Sequence, residues 1–281
     1  MKTDEFTGTA SLRLRQVPAV LRARGFYLYT QGGRRLVDLW QYGGAAVLGH
    51  TPRSVLRAIK NSASRGLFAP FPHTLEHRFA RALSRLFPGT SCRVYTDEGS
   101  LRRALERAGF AREAKAPFPD PAAGPSSGEA LSLWRPFLPL EAESPQPLLR
   151  LPVLPWALAP RAVVFEQALE PGALGLPPSD LLPPVLLAGS ARAVYDLCAG
   201  PPREAGNFPR LRRALAEGIW RQRGIYLQHE TALDEHAYTV LFLRFLEAGF
   251  LLPPGRKEPL ILPGALSKGE EAKLAALLQL P

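Results

Sequence analysis

The stretch from Arg24 to Lys60, RGFYLYTQGGRRLVDLWQYGGAAVLGHTPRSVLRAIK, changes its hydrophobic period partway along, and that change limits what the chain can fold into. Phe26 to Tyr29 and Arg35 to Leu39 are short aromatic and β-branched runs with Thr30-Gln31-Gly32-Gly33 between them. Paired glycines accept the positive φ of a tight turn, so a two-stranded hairpin is expected. Tyr42-Gly43-Gly44 ends the strand pattern, Leu48-Gly49-His50 follows, and Thr51-Pro52 opens a helix with a cap residue and a proline at its first position. Val55, Leu56 and Ile59 fall on one side of that helix. Hairpin, glycine turn and amphipathic helix in direct succession require a fold that mixes sheet and helix.

The rest of the chain continues the mixture. Residues 1–23 form a polar lead-in with a short amphipathic segment, Leu12 to Leu21. Leu75, Phe79, Ala82, Leu83 and Leu86 recur at helical spacing, with Arg78, Arg81 and Arg85 opposite, and Pro88-Gly89 stops the run. Cys92 to Tyr95 is a strand leading through Thr96-Asp97-Glu98-Gly99-Ser100 into a helix from Leu101 to Arg112. From Ala116 to about Pro160 a proline recurs every few residues, which excludes long helices and leaves short strands or a mobile connection. Strands are expected at Arg161 to Glu166 and Val185 to Leu187, and a helix from Ser190 to Leu197. A helix from Pro209 to Arg223, a strand from Gly224 to Leu227 and an apolar helix from Asp234 to Gly249 come next. Phe250 to Leu252 and Pro259 to Leu262 are further strands, and Ser267 to Glu270 spells a capping box before the closing helix.

Composition sets broad bounds. The 281 residues suffice for one large domain or two modest ones, and the hydrophobic share of 46% fits a globular protein. The net charge is +10, and 29 of the 35 basic residues are arginine. These arginines are spread through helices and not gathered in a block with aromatic interleaving, so a compositional bias explains the charge better than a nucleic-acid partner. Cys92 and Cys198 stand far apart, which excludes a disulfide framework and suits a reducing cytoplasm. The N-terminus lacks the apolar core of a signal peptide, and no apolar run approaches the ~20 residues that span a bilayer. A cytoplasmic protein without a membrane partner is expected.

The Arg24 to Lys60 stretch resembles the N-terminal signature of the class III aminotransferases, pyridoxal-phosphate (PLP) enzymes of fold type I, most like the glutamate-1-semialdehyde aminomutases. HTLEHRFARALSRLFPG is similar to the family's helix before the cofactor loop, and RVYTDEGSLRRALERAGFAR is similar to that loop and the helix after it. The C-terminal text from Ala237 onward resembles the small domain of the aminomutases. The resemblance implies a shortened PLP-transferase α/β fold, with a large domain built on a mixed sheet and a small α+β domain. Its implied divisions are 1–50 joining the small domain, 51–203 as a truncated large domain with a proline-rich insert at 116–160, and 204–281 as the C-terminal small domain. A homodimer is implied as well.

The same resemblance names site residues. Gly99 and Ser100 match the Gly-Thr/Ser pair whose amides cradle the PLP phosphate at a helix start, where amides and helix dipole favour an anion. Glu98 replaces the family's preceding serine and Leu101 its glutamate, so Asp97 and Glu98 set two carboxylates where a dianion should rest. Tyr42, Gly43 and Gly44 would face a substrate pocket. A family member also carries an aspartate that pairs with the pyridine nitrogen and, later, the Schiff-base lysine. Neither is found in place here. Pro183 to Leu197 resembles text lying beyond that lysine, which implies an internal deletion. The expected function is therefore a class III aminotransferase-like protein that has lost transaminase activity and acts by binding or interaction; the alternative is a working aminotransferase or aminomutase with altered cofactor contacts. His73-Thr74-Leu75-Glu76-His77 also fits a zinc-peptidase pattern, but five-residue patterns arise by chance and Pro72 places His73 at a helix start. No metal site is expected. His50 is expected to be structural, and His229 and His236 stand with no nucleophile.

Overall fold

The computed structural model describes residues 2–124, 130–138, 148–169, 172, 174–200 and 208–279. Helix α1 (Lys2–Leu14) and strand β1 (Val20–Arg24) occupy the lead-in, where the sequence suggested an amphipathic segment across Leu12 to Leu21. That segment is split because β1 is recruited by its neighbour β2 (Tyr27–Thr30), which pairs with it antiparallel. β3 (Arg35–Asp38) completes the expected hairpin, and a 3-10 turn follows at Gln41–Gly44. In α2 (Arg53–Ala63) the cap position falls to Pro52, whose backbone is extended, and not to Thr51. α3 (Leu75–Leu86) and β4 (Thr90–Tyr95) lie where periodicity puts them.

The expected helix from Leu101 to Arg112 is two helices, α4 (Glu98–Arg107) and α5 (Ala111–Lys115). Gly109 separates them at φ +89°, a conformation that other residues rarely adopt. Within the proline-rich segment lie two short strands, β5 (Leu131–Trp134) and β6 (Leu149–Pro152), and β7 (Arg161–Glu166) follows. One helix, α6 (Pro184–Ala199), replaces both the strand expected at Val185 to Leu187 and the shorter helix after it. Pro184 stands in its first turn, where a missing amide costs nothing. The helix expected to reach Arg223 stops as α7 (Pro209–Glu217), because Trp220–Arg223 pairs as β8 with β9 (Tyr226–His229). α8 (Glu235–Ala248), β10 (Phe250–Leu251), β11 (Leu260–Ile261) and α9 (Lys268–Leu278) complete the order, and the Ser267/Glu270 capping box is formed.

The chain divides into two compact units: Met1–Thr51 with Phe137–Pro139 and Pro202–Pro281, and Pro52–Pro136 with Leu140–Pro201. In the first, one sheet has the order β1-β2-β3-β10 and another β11-β9-β8. Among the described residues only β3 and β10 run parallel there, Phe250 opposite Val37 and Leu251 opposite Asp38. Leu39 joins the two sheets, donating its amide to Leu251 O and accepting from Ile261 N. α1 is tied to α8 by Arg13, almost wholly buried, which reaches Thr239, Pro254 O and the Glu235 carboxylate and lies over the Tyr238 ring. Burial pushes the Glu235 carboxyl up, yet the hydrogen bonds and charges of Arg13 and Arg256 together hold it below the usual range.

In the second unit a mixed sheet of order β4-β7-β6-β5 carries helices on both faces. Alternate residues of β7 decide the layers: Val163 and Phe165 join Tyr95, Leu101, Leu105 and Leu149, while Ala162 joins Phe79, Leu83, Leu187 and Val194. Each fully buried Phe or Leu in these cores contributes roughly 1.5–3 kcal/mol. The end of β4 is pinned by Ser179 and Asp180, which accept from the amides of Val94 (3.0 Å) and Thr96 (2.7 Å). Across α6, the Trp156 ring lies so close to Gly189 that a Cβ there would meet it at 2.6 Å. An alanine inside a helix ordinarily gains about 1 kcal/mol over glycine. Gly189→Ala is expected to do the reverse and lower the thermal midpoint. Combined with Trp156→Leu, it should cost less than the two single losses added together. A thermal-melting cycle on the four proteins checks this, and simple additivity would show that the ring does not set the choice of glycine.

Candidate functional site

In the first unit, the hairpin runs into a turn in which four successive residues have positive φ: Gln41 at 47°, Tyr42 at 49°, Gly43 at 65° and Gly44 at 106°. A left-handed backbone costs an L-residue roughly 1–2 kcal/mol, so the two non-glycine positions must be held by their surroundings. Asp38, 2% exposed, does much of the holding. Its Oδ1 accepts from the amides of Trp40 and Gln41, both at 2.9 Å, and its Oδ2 is 2.8 Å from His50 Nε2. His50 in turn donates its amide to Gly25 O at 2.8 Å, tying the turn back to the hairpin. The Gln41 side chain is fully buried; its Nε2 donates to Ile261 O, and its Oε1 has no partner among the described residues.

This scaffold presents an aromatic and acidic surface. Trp40 Nε1 donates to Glu258 Oε2 at 2.9 Å, and the Tyr42 ring, 53% exposed, stands edge-on to Trp40 at 5.2 Å. Gly43 lies beside the Glu258 carboxylate. Tyr42, Gly43 and Gly44 thus share one left-handed turn in which Tyr42 is exposed, Gly43 half-buried and Gly44 buried. Sequence reasoning missed Asp38, Trp40 and Glu258. The first could have been found as an aspartate two and three residues before the amides that lead into a glycine turn, where a carboxylate satisfies free amides. Glu258 could not, because a chain separation of 218 residues carries no local signal.

In the second unit, Gly99 and Ser100 sit in the first turn of α4. Asp97 caps that helix, its Oδ1 accepting from the Ser100 amide at 2.8 Å. Glu98 Oε1 bonds Arg102 at 2.7 Å and Arg103 donates to Ser100 Oγ at 2.9 Å. A Cβ on Gly99 would already meet Asp97 Oδ1 at 3.2 Å. The residues at this helix start do not fit a phosphate group unless Asp97 moves away, because the amide that would face it is occupied and two carboxylates stand beside it. Lys60, Lys115, Lys257, Lys268 and Lys273 all have exposed side chains.

Other candidates are absorbed by local structure. Glu76 accepts from the His73 amide at 3.1 Å and His73 Nδ1 from the Leu75 amide, so the His73 to His77 motif serves the start of α3. Among the described residues no group of three His, Cys, Asp or Glu could hold a metal. Burial pushes the Cys92 thiol up to about 11, against the opposing charge of Arg93. Its alkylation by iodoacetamide at pH 8 should therefore run on the order of a hundredfold slower than that of a free thiol. Peptide mass mapping over time checks this.

No family model matches the chain. An uncharacterized protein of Treponema pallidum is 30% identical over 291 residues, covering 89% of this chain and 90% of that one. Glutamate-1-semialdehyde 2,1-aminomutase of Lawsonia intracellularis is 40% identical over 67 residues, spanning 24% of this chain but 16% of that enzyme. Among solved structures, ornithine δ-aminotransferase of Plasmodium falciparum superposes with a TM-score of 0.65 at 14% identity, over 93% of this chain and 92% of that one. Two mixed units of this kind define the class III, fold type I aminotransferase architecture, in a shortened form. The chain belongs to the family of the treponemal protein, and that architecture is its fold.

Asp38→Ala would strand two amides and the His50 ring at once. The expected loss is about 3 kcal/mol, or a thermal midpoint lower by roughly 6–10 °C. Asp38→Asn, which keeps an acceptor for the two amides, should lose less than half of that. Equal melting of the alanine variant and the parent would show that the turn is held by something else.

Proposed function

We propose that this protein keeps the class III aminotransferase fold as a binding or interaction protein and no longer transfers amino groups. One observation carries the reading: α4 begins with its own carboxylate in the place of an anion. The five described lysine side chains, all exposed, agree with it. PLP, when bound by a family enzyme, supplies an electron sink, and its use requires an enclosed amine to hold it and move a proton. An exposed lysine keeps its ammonium hydrated and offers no such amine. In this reading the Tyr42, Gly43 and Gly44 turn would face the bound molecule, with Tyr42 and Glu258 contacting a partner or small molecule.

A working aminotransferase or aminomutase is the second reading, favoured by the local likeness to the Lawsonia aminomutase. In that case Gly99 and Ser100 would receive the phosphate after Asp97 swings out. Purified protein incubated with PLP and reduced with borohydride separates the two. No pyridoxylated lysine by peptide mapping, with no transamination of amino-acid donors, is the expected result. Stoichiometric labelling of one lysine together with turnover would overturn the proposal. The reading also includes a homodimer, supported by Phe68 and Phe71 standing 61% and 56% exposed, and a reducing cytoplasmic home, supported by the two free cysteines. No helix among the described residues is long and apolar enough to cross a membrane.

A further inference from the structure

Within the second unit, α2, the start of α3 and α6 surround a cleft of about 770 Å³. Small-molecule sites usually measure roughly 300–1,000 Å³. Four arginines line this one: Arg57 from α2, Arg65 from the loop after it, Arg78 from α3 and Arg192 from α6. Asn61 and His73 add polar groups to the wall.

The charge of this cleft is not cancelled from within. Asp196 is bound by Arg192, through Nε at 2.8 Å and through Nη2, and by the Ser54 hydroxyl. Glu76 is engaged at the His73 amide. Among the described residues no carboxylate pairs with Arg57, Arg65 or Arg78. Three guanidinium groups turned into one concavity repel each other, and low-dielectric walls focus their field toward its centre. An anion placed there relieves that repulsion, and guanidinium forks match the paired oxygens of phosphate.

We propose that this cleft is a binding site for a small multivalent phosphate compound. The concave shape favours a compact ligand over a nucleic-acid strand, and the lining holds Ala58, Leu75 and Ala188 but no Phe, Tyr or Trp ring on which successive bases could stack. None of the lining residues belongs to α4, so the site goes beyond the reading of the fold as a former aminotransferase and holds whether or not the chain takes PLP.

Inorganic pyrophosphate is the probe, titrated calorimetrically into the full chain at low ionic strength. One site per chain is expected. Arg57→Gln with Arg78→Gln should weaken it at least tenfold, while Arg221→Gln, an exposed arginine of β8 in the other unit, should leave it unchanged. Circular dichroism confirms that the variants fold, as substitution of exposed arginines should allow. Three results would each overturn the proposal: no binding by the parent, equal loss in the Arg221 control, or duplex DNA binding more tightly than pyrophosphate and not displaced by it.

Discussion

The first unit depends on where a single buried carboxylate is placed. Asp38 closes strand β3, and from one position it satisfies two amides of the following turn and holds His50, which is bonded in turn to the opening of the hairpin. A charge so deeply buried is tolerated because its oxygens are occupied by donors. The left-handed turn from Gln41 to Gly44 exists only within that arrangement. Its energetic cost is concentrated at Gln41 and Tyr42, and the exposed Tyr42 ring is the visible product of that strain.

The second unit is organised on a different principle. Its sheet is sealed on both faces by apolar side chains that alternate along β7, so its stability is distributed over many contacts. The helix start at α4 satisfies itself with Asp97, a solution that stabilises the helix. The cationic cleft is the opposite case: among the described residues Arg57, Arg65 and Arg78 have no carboxylate partner, and a bound anion would offset their mutual repulsion.

Much of this architecture was legible in the chain. The hairpin, α3, β7, α8 and the Ser267/Glu270 cap lie where period and capping chemistry put them, because each is encoded by residues within a few positions of one another. The failures share a cause. β1 and β8 are strands because of the strands they pair with, and neither carries a strong period of its own. Val185 to Leu187 looks like a buried strand because a short apolar run has no distinguishing period, and its packing inside α6 decided the matter. The likeness to class III aminotransferases was likewise carried by local text around Tyr42 and Gly99.

Sequence alone thus determined the elements that local chemistry encodes, together with the fold whose motifs those elements spell. Tertiary structure decided what local chemistry cannot. It brought Glu258 to Trp40, gave the Ser100 amide to Asp97, and turned arginines spread over α2, α3 and α6 into one cleft. The physical reason is the same in each case: electrostatic and hydrogen-bond energies depend on distance in space, and chain separation says nothing about that distance until the sheet and helices have packed.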